Sequence, residues 1–340
     1  MSTLRDVAHL AGVSVATASR VANGSSAVRA ETRVRVERAM RELLYVPHER
    51  DTETGLIGVL VPELANPIFP ALAQAIETRA APYGFASILC NIAGAAYREI
   101  DYVHMLLDRR VEGMIFIAAE MTNLRSDHSH YARLLDEGAR LVFVNGALHT
   151  VDVPSVGVDE RAAGELATQH LLDLGHRRIG FVAGPEHYAP TQLKAAGRES
   201  ALRAAGLDPE GATAFAEFSV DGGRRALAQL LSEPDPPTGV ICSSDVMAIG
   251  ALHEAARRGL RVPEDLSIVG FDGIEAARWS VPELTTVEQP IAQIAETVVQ
   301  TLRTLIEDPT RKLPSSYFRP VLRVRASSGA PAHSRAGVNL

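Results

Sequence analysis

From Leu56 onward the chain alternates short, nearly uninterrupted apolar runs with stretches of helical pattern, and this alternation limits the fold more than any other feature. LIGVLVP (56–62), FASILCNI (85–92), GMIFIAA (113–119) and RLVFVNG (140–146) make one series, with helical intervals such as Phe69–Ala81 and Tyr97–Arg109. SVGVD (155–159), RRIGFVAG (177–184), the weaker AFAEF (214–218), GVICSSD (239–245) and LSIVGFD (266–272) make a second. Continuous apolar runs suit strands of a parallel sheet buried on both faces by crossover helices. Two series of similar length predict an α/β core of two doubly wound parallel-sheet lobes, with a ligand cleft between them at the strand carboxyl ends. After TTVEQP (285–290), a helix to about Glu307 and a last strand near Tyr317–Arg325 are expected to cross back between lobes. The tail from Ser328, rich in Gly, Ala, Pro and Ser, is expected to be disordered.

The first fifty residues follow another rule. Thr3 stands three residues before Asp6, a capping spacing that also puts negative charge at a helix start. Val7, Ala8 and Ala11 give that helix a small apolar face, Gly12 breaks it, and Ser14 caps a second helix. On the second helix Ala18, Val21 and Ala22 share one side, while Ala16 and Arg20 lie opposite, one turn apart. Val15 projects from its start, and Ser19 and Asn23 flank the outer face. A third helix, Glu31–Leu44, closes a small core with Val34, Ala39 and Leu43, and with Val36 and Met40 nearby; Pro47 ends it. This is an all-α helix-turn-helix unit. Its outer face offers small apolar groups for a thymine methyl and a guanidinium that can fork onto guanine.

The stretch DVAHLAGVSVATASRVANG, followed by ETRVRVERAMRELLYVP, resembles the headpiece of the lactose-repressor (LacI/GalR) family of transcriptional regulators. The resemblance extends over the core through VPELANPIF (61–69), LLDRRVEGMIF (106–116), HLLDLGHRRIGFVAGP (170–185), SSDVMAIGALHEAARRGLRVPEDLSIVGFDG (243–273) and LTTVEQP (284–290). It implies a periplasmic-binding-protein-like effector core behind a DNA-binding headpiece. The expected boundaries are a headpiece over 1–47, a hinge over 48–55, a core over 56–328 and a tail over 329–340. Within the core, one lobe is expected near 56–154 and 290–315, the other near 155–285 and 316–328. The DNA contacts implied are Thr3, Ser14, Val15, Ala16, Thr17, Ser19, Arg20 and Asn23, with Arg29 and Arg33 acting on phosphates.

Charge agrees with a polyanion partner at one end. The net charge is −7, yet residues 1–50 carry eight Arg against five acids, so the remainder holds −10. At 340 residues, 46% of them apolar, the chain is long enough for roughly two domains. No apolar run reaches membrane length and MSTLRD lacks a signal-peptide pattern, so a cytoplasmic protein with no membrane partner is expected. Cys90 and Cys242 sit in apolar, strand-like segments and read as buried reduced thiols.

The cleft residues follow from the strand ends. Ile68 and Phe69 come after the first run, Asn145 ends the fourth, and Phe218, Ser244 and Asp272 end runs of the second series. Lys194 opens a helix after Gly184. By resemblance these match effector-contact positions. Phe69 and Phe218 can stack on a ring, while Asn145, Ser244 and Asp272 can bond hydroxyls, which points to a sugar or nucleoside. The competing roles are core packing for the aromatics and a helix cap for Asp272. Many members of the family carry Arg where Lys194 stands, and lysine is a point charge without a planar fork. No catalytic motif is present: GxSxG, GxxxxGK[ST] and a strand-following GxGxxG are all absent. No cofactor and no metal are expected, and Asp127-His128-Ser129-His130 reads as a solvated surface segment. His176, in LGHRRIG, reads as a structural hydrogen-bonding group. The expected protein is a dimeric, effector-responsive repressor of a catabolic operon, bound to a pseudo-palindromic operator. The tail has no leucine heptads for a coiled-coil tetramer. The alternative is a cytosolic small-molecule binder whose DNA binding is weakened by a shortened hinge; an enzyme on the same scaffold lacks a catalytic constellation.

The hinge departs most from the resemblance. Family members carry an Asn-Ala-Leu-Ala-Arg-Ser-Leu-like run after the position of Pro47, which folds on DNA and wedges a leucine into the minor groove. Here HERDTET (48–54) has no apolar residue, and Glu49, Asp51 and Glu53 outnumber Arg50. Seven polar residues cannot sustain a helix alone, their charge opposes the phosphates, and no apolar wedge is available. Operator DNA is therefore expected to show little central kink in a circular-permutation or fluorescence-transfer assay. A strong kink that survives neutralisation of Glu49, Asp51 and Glu53 would overturn this.

Overall fold

The computed structural model describes residues 4–22, 28–43, 55–92, 98–209 and 212–332. Thr3, Asn23, the linker 48–54 and residues 333–340 lie outside this set, as do the side chains of Ala16, Ser19 and Arg20. The chain divides into two units, one up to Thr54 and one from Gly55. Among the described residues no helix is long and apolar enough to cross a membrane.

The first unit is three helices, α1 (Leu4–Ala11), α2 (Val15–Ala22) and α3 (Ala30–Glu42). Gly12, at φ +64°, lets the chain reverse after α1. Ser14 then caps α2, its Oγ accepting the Thr17 N–H at 3.1 Å. Val7, Ala8 and Ala11 close on Ala18 and Val21 and on Val36, Ala39 and Met40 of α3. Val34, expected in this core, is instead 60% exposed. The inward stripe of α3 runs through residues 36, 39, 40 and 43, the i, i+3, i+4, i+7 spacing, and position 34 falls off it.

The second unit begins with β1 (Leu56–Val61), α4 (Ile68–Ala80), β2 (Ala86–Asn91), α5 (Glu99–Asp108), β3 (Gly113–Ile117), α6 (Ser129–Asp136), β4 (Leu141–Val144) and β5 (Ser155–Val158). It continues through α7 (Glu160–Asp173), β6 (Ile179–Ala183), α8 (Ala189–Ala204), β7 (Thr213–Phe215), α9 (Val220–Leu230), β8 (Gly239–Cys242), α10 (Asp245–Arg257) and β9 (Ser267–Asp272). The last elements are α11 (Ala276–Trp279), β10 (Thr285–Glu288), α12 (Ile291–Glu307), β11 (Ser316–Phe318) and β12 (Val321–Arg323). The strands form two six-stranded sheets, ordered β11-β5-β4-β3-β1-β2 and β12-β10-β9-β8-β6-β7. All pairs are parallel except β10 with β12. Cys90 and Cys242 are buried free thiols.

Three expectations about the lobes need correction. Ser155–Val158 does not open the second lobe; as β5 it pairs with β4 in the first sheet. A short connection from Asn145 brings it alongside β4, so β5 closes the first sheet and the chain crosses only after Val158. The single last strand near Tyr317–Arg325 is two strands: β11 pairs with β5 in the first sheet and β12 with β10 in the second. Pro320, which has no N–H for a ladder, separates them at the crossing. The chain therefore passes between lobes three times: after β5, after β10 and after β11. The tail is ordered at its start. Gly329 exchanges two hydrogen bonds with Ser267, each 3.0 Å, and its carbonyl lies 2.9 Å from His176 Nε2. Ser328 Oγ meets His170 Nε2 and Thr285 Oγ1, both at 2.9 Å. Small side chains let this backbone lie close against the second sheet. His176, fully buried, also bonds Thr238 Oγ1 at 2.9 Å, the structural role its position suggested; burial holds it below the usual imidazole range.

Asp245, at the start of α10, ties the second lobe together. Its Oδ1 accepts the Thr286 hydroxyl at 2.6 Å, and its Oδ2 accepts the N–H groups of Gly273 and Ile274 at 2.8 and 2.9 Å. It is completely buried, and desolvation pushes its carboxyl up to about 7 against these three donors. The folded state thus keeps a proton that the unfolded chain has released above its lower carboxylate pKa. Stability from this group is full below about pH 4 and is lost as pH rises towards 7. Asp245→Ala strands three buried donors and is expected to cost at least about 3 kcal/mol, with a shallower pH slope over that window, both read by urea denaturation.

Candidate ligand site between the lobes and candidate nucleic-acid face

A cavity of about 910 Å³ opens between the two sheets. Its walls come from the segments that follow the strand carboxyl ends, where doubly wound sheets leave their crevice. Ile68, Phe69, Asn145, Lys194, Phe218, Ser244 and Asp272 all line it, so the six residues named from strand ends and Lys194 come together in one place. Across the mouth, the loop after β3 touches the loop after β6: Leu124 N–H donates to His187 O at 2.9 Å, and Asn123 bridges Tyr188.

A chain of side-chain hydrogen bonds crosses the cavity floor. Asn145 Nδ2 donates to Gln289 Oε1 at 2.8 Å, and Gln289 Nε2 donates to Asp272 Oδ1 at 2.8 Å. Asn145 Oδ1 accepts Val158 N–H at 3.1 Å, so the chain runs from the first sheet, through the segment after β10, to the end of β9. Asn145 and Asp272 adopt φ of +54° and +123°, as does neighbouring Ala118 at +41°. Left-handed conformations at non-glycine residues cost about 1–3 kcal/mol each, and here they gather around the cavity. Asp272 is 4% exposed, and its Oδ2 has no hydrogen-bond partner. Burial and the nearby Asp245 carboxylate push its carboxyl well above the usual range. Asp272 is not a helix cap: the backbone N–H groups that follow it bond Asp245.

The other predicted residues take distinct roles. Ser244 caps α10, its Oγ accepting Met247 N–H at 3.3 Å. Phe218 is half-buried and meets Tyr188 edge-on, ring centroids 6.2 Å apart. Lys194 lies inside α8, not at its start, and is pinned: Nζ is 2.5 Å from Glu160 Oε2 and 3.8 Å from the Phe271 ring centre. The cause is the tight packing of α7 on α8. A Cβ on Gly164 would fall 2.1 Å from Lys194 O, and one on Gly197 2.0 Å from Arg161 O. Strand-end reasoning missed Gln289, Ser243 and Tyr188. Gln289 could have been found, because it is the polar residue that ends the run in TTVEQP.

The segment Asp127–His130 is not wholly solvated, as its composition suggested. His130 is buried, with Nε2 3.0 Å from Glu99 Oε1, which also accepts the Tyr131 hydroxyl at 2.5 Å. Glu99 Oε2 accepts Glu120 N–H at 2.9 Å, and His128 Nε2 reaches Glu120 O at 2.9 Å. The apolar face of α6 turns His130 inward, which a spacing of two residues does not reveal. Ligand atoms of Glu99, Glu120 and His130 lie within 4.8 Å of one another, but Glu99 is satisfied by protein donors.

In the helical unit, Val15 is exposed on α2, and the Ser14 and Thr17 hydroxyls bond each other at 2.9 Å. Arg29 is exposed at the start of α3, and Arg33, one turn on, is half-buried. Among the expected contacts, these five have described side chains.

Residues 3–48 match the model of bacterial regulatory proteins, lacI family, and residues 168–328 match a periplasmic binding protein-like domain. The chain is 41% identical over 334 residues, 96% of its length and 94% of the relative's, to an uncharacterized HTH-type transcriptional regulator in the aml 5′ region of Streptomyces limosus. It is similar to the lac repressor dimer bound to operator and the anti-inducer ONPF, with a TM-score of 0.80 and 30% identity over 97% of this chain and 99% of that one. It is also similar to a complex of the transcriptional regulator CelR with cellobiose, with a TM-score of 0.73 and 30% identity over 96% and 100%.

The electrostatics of the cavity set the pH dependence of any hydroxyl-bearing ligand. Hydroxyl donors favour the ionised form of Asp272, whose pKa is raised in the free site, so binding releases protons. Affinity is expected to rise with pH until Asp272 is ionised in the free site. Calorimetry in two buffers of different ionisation enthalpy reads the released proton; proton uptake would contradict the assignment.

Proposed function

The chain belongs to the lacI family of bacterial regulatory proteins, and from that premise we propose that it is an effector-responsive transcriptional repressor acting on operator DNA. The headpiece reads operator half-sites through α2, with Arg20 in the major groove and Arg29 and Arg33 on phosphates. The core binds a small hydroxylated ring, a sugar or nucleoside, and the regulated genes serve its catabolism. As a repressor of chromosomal operators it works in the cytoplasm. Loss of DNA binding is not favoured, because residues 3–48 match the lacI-family model.

The observation that carries this reading is the Asn145–Gln289–Asp272 chain, which joins one lobe to the other across the floor of the cavity. A ligand hydroxyl on Asp272 Oδ2 competes with or strengthens that link. It thereby binds the two lobe arrangements unequally, which is what an effector must do to shift their balance. A dimer doubles the half-site contacts. Trp279, which ends α11, and Val281 just beyond it, 70% and 94% exposed, are large apolar groups that a second copy would cover.

Asp272→Ala is expected to abolish release of operator by effector while operator affinity stays within about threefold of wild type. Arg20→Ala is expected to cost about 1–3 kcal/mol of operator affinity and relax preference at one base pair per half-site. Gel-shift titration with and without effector, over a library of operator variants, reads both. Undiminished release in the Asp272 variant, or an unchanged preference profile in the Arg20 variant, removes that residue from its role.

A further inference from the structure

The lobes are joined across the cavity at its floor, by the Asn145–Gln289–Asp272 chain, and again at its mouth. At the mouth Leu124 N–H donates to His187 O at 2.9 Å, and Asn123 pairs with Tyr188 in an isolated antiparallel bridge. Ala119, Glu120, Thr122 and Asn123 on one side, and Pro185 and Tyr188 on the other, line the cavity. The bridge is slight. Leu124 is 51% exposed, so little apolar burial seals the contact, and a hydrogen bond beside water adds little by itself. How often the bridge forms therefore depends on how firmly the first loop is held in position to make it.

That hold comes from a carboxylate behind the loop. Glu99, in the first turn of α5, is buried. Its Oε2 accepts Glu120 N–H at 2.9 Å, and its Oε1 accepts the Tyr131 hydroxyl at 2.5 Å and His130 Nε2–H at 3.0 Å. One side chain thus fastens the start of the loop to α6. His128 adds a second tie, through Nε2 to Glu120 O at 2.9 Å.

The loop is also stiff within itself. Thr122 Oγ1 donates to Ala119 O at 2.8 Å. Ala118 stands at φ +41°, a strained conformation that persists only where its surroundings impose it. Met121 and Thr122 are buried against Gly146, where a Cβ would fall 2.6 Å from Thr122 Cγ2. Gly146 follows Asn145, so the braced loop abuts the residue that begins the link across the floor.

We propose that residues 119–124 form a latch on the cleft and that Glu99 and His130 are its positioning residues, so that the cavity exchanges ligand only when the Leu124–His187 bridge opens. A carboxylate accepts on both oxygens. Glutamine at position 99 would turn an NH2 group towards donors whichever way the amide lay, and the loop would lose its tie either to Glu120 or to α6. The bridge then loosens on the far lobe, although no residue there has changed.

Hydrogen exchange with mass spectrometry on the full-length protein reads the bridge without a ligand. Leu124→Pro removes the donor. Asn123 is extended, at φ −86° and ψ 104°, as suits a residue before proline, so the turn is kept. In Leu124→Pro the amides of residues 186–189, in the second lobe, are expected to exchange about tenfold faster. Glu99→Gln is expected to do the same across the cleft, and His130→Phe to do it in part, should Glu99→Gln fail to fold. Leu124→Pro with Glu99→Gln is expected to match Leu124→Pro alone, because nothing is left to position. Leu124 and His187 stand opposite each other in the bridge, and a disulfide between Leu124→Cys and His187→Cys is expected to restore protection in Glu99→Gln. Faster exchange confined to residues 118–131, or effects of Leu124→Pro and Glu99→Gln that add, would make Glu99 a support of its own lobe alone and overturn the proposal.

Gating is read by fluorescein maleimide on Phe69→Cys, a position on the cavity wall, with the buried Cys90 and Cys242 of the parent as the blank. Labelling is expected to be about tenfold faster when Leu124→Pro is added, and equal rates overturn the gate. The proposal rests on the cavity being the effector site, yet neither measurement uses effector or operator. A latch that passes both tests in a protein whose operator binding no sugar or nucleoside alters sinks the regulatory reading and leaves the latch standing.

Discussion

The cleft depends on the buried carboxylate of Asp272 and on what holds it. Gln289 donates to one of its oxygens and Asn145 donates to Gln289, so a single amide lies between residues of two different sheets. The other oxygen is buried with no hydrogen-bond partner. Behind it, Asp245 takes three donors and locks the turn after β9, which keeps Asp272 in a backbone conformation that a non-glycine residue seldom adopts. Burial raises the carboxyl pKa of both groups, and the Asp245 carboxylate raises that of Asp272 further. The strain and the charge sit where a ligand can relieve them.

The same economy appears in the basic groups. Lys194 faces the cavity from α8, yet the glycine contacts that draw α7 and α8 together set its ammonium against Glu160. A buried pair of this kind is held by geometry and leaves no net charge for a ligand. The only described lysine of the wall is thus neutralised, while Glu63 and Glu120 form no ion pair among the described residues.

Much of the site was legible because parallel sheets put functional groups at strand carboxyl ends, and apolar runs mark those ends. Asn145, Phe218, Ser244 and Asp272 each follow such a run and all line one cavity. Gln289 obeys the same rule and was missed only because TTVEQP is a short run. His130 was misread for a different reason. Its neighbours Asp127, His128 and Ser129 are polar, and only the packing of Tyr131, beside it on α6, against Phe143 turns its ring in toward Glu99.

The sequence by itself determined most of the elements and their order, the small core of the helical unit apart from Val34, and the family, because periodicity and short motifs are local properties. Tertiary structure decided which sheet took β5 and β11, that the tail at Ser328 and Gly329 is bonded, and which charges meet. Those outcomes depend on partners far apart in the chain. Asn145 finds Gln289 across 144 residues and His176 finds Gly329 across 153. No local pattern encodes such a pairing; it follows from the three crossings between lobes, which bring distant strand ends to the same crevice.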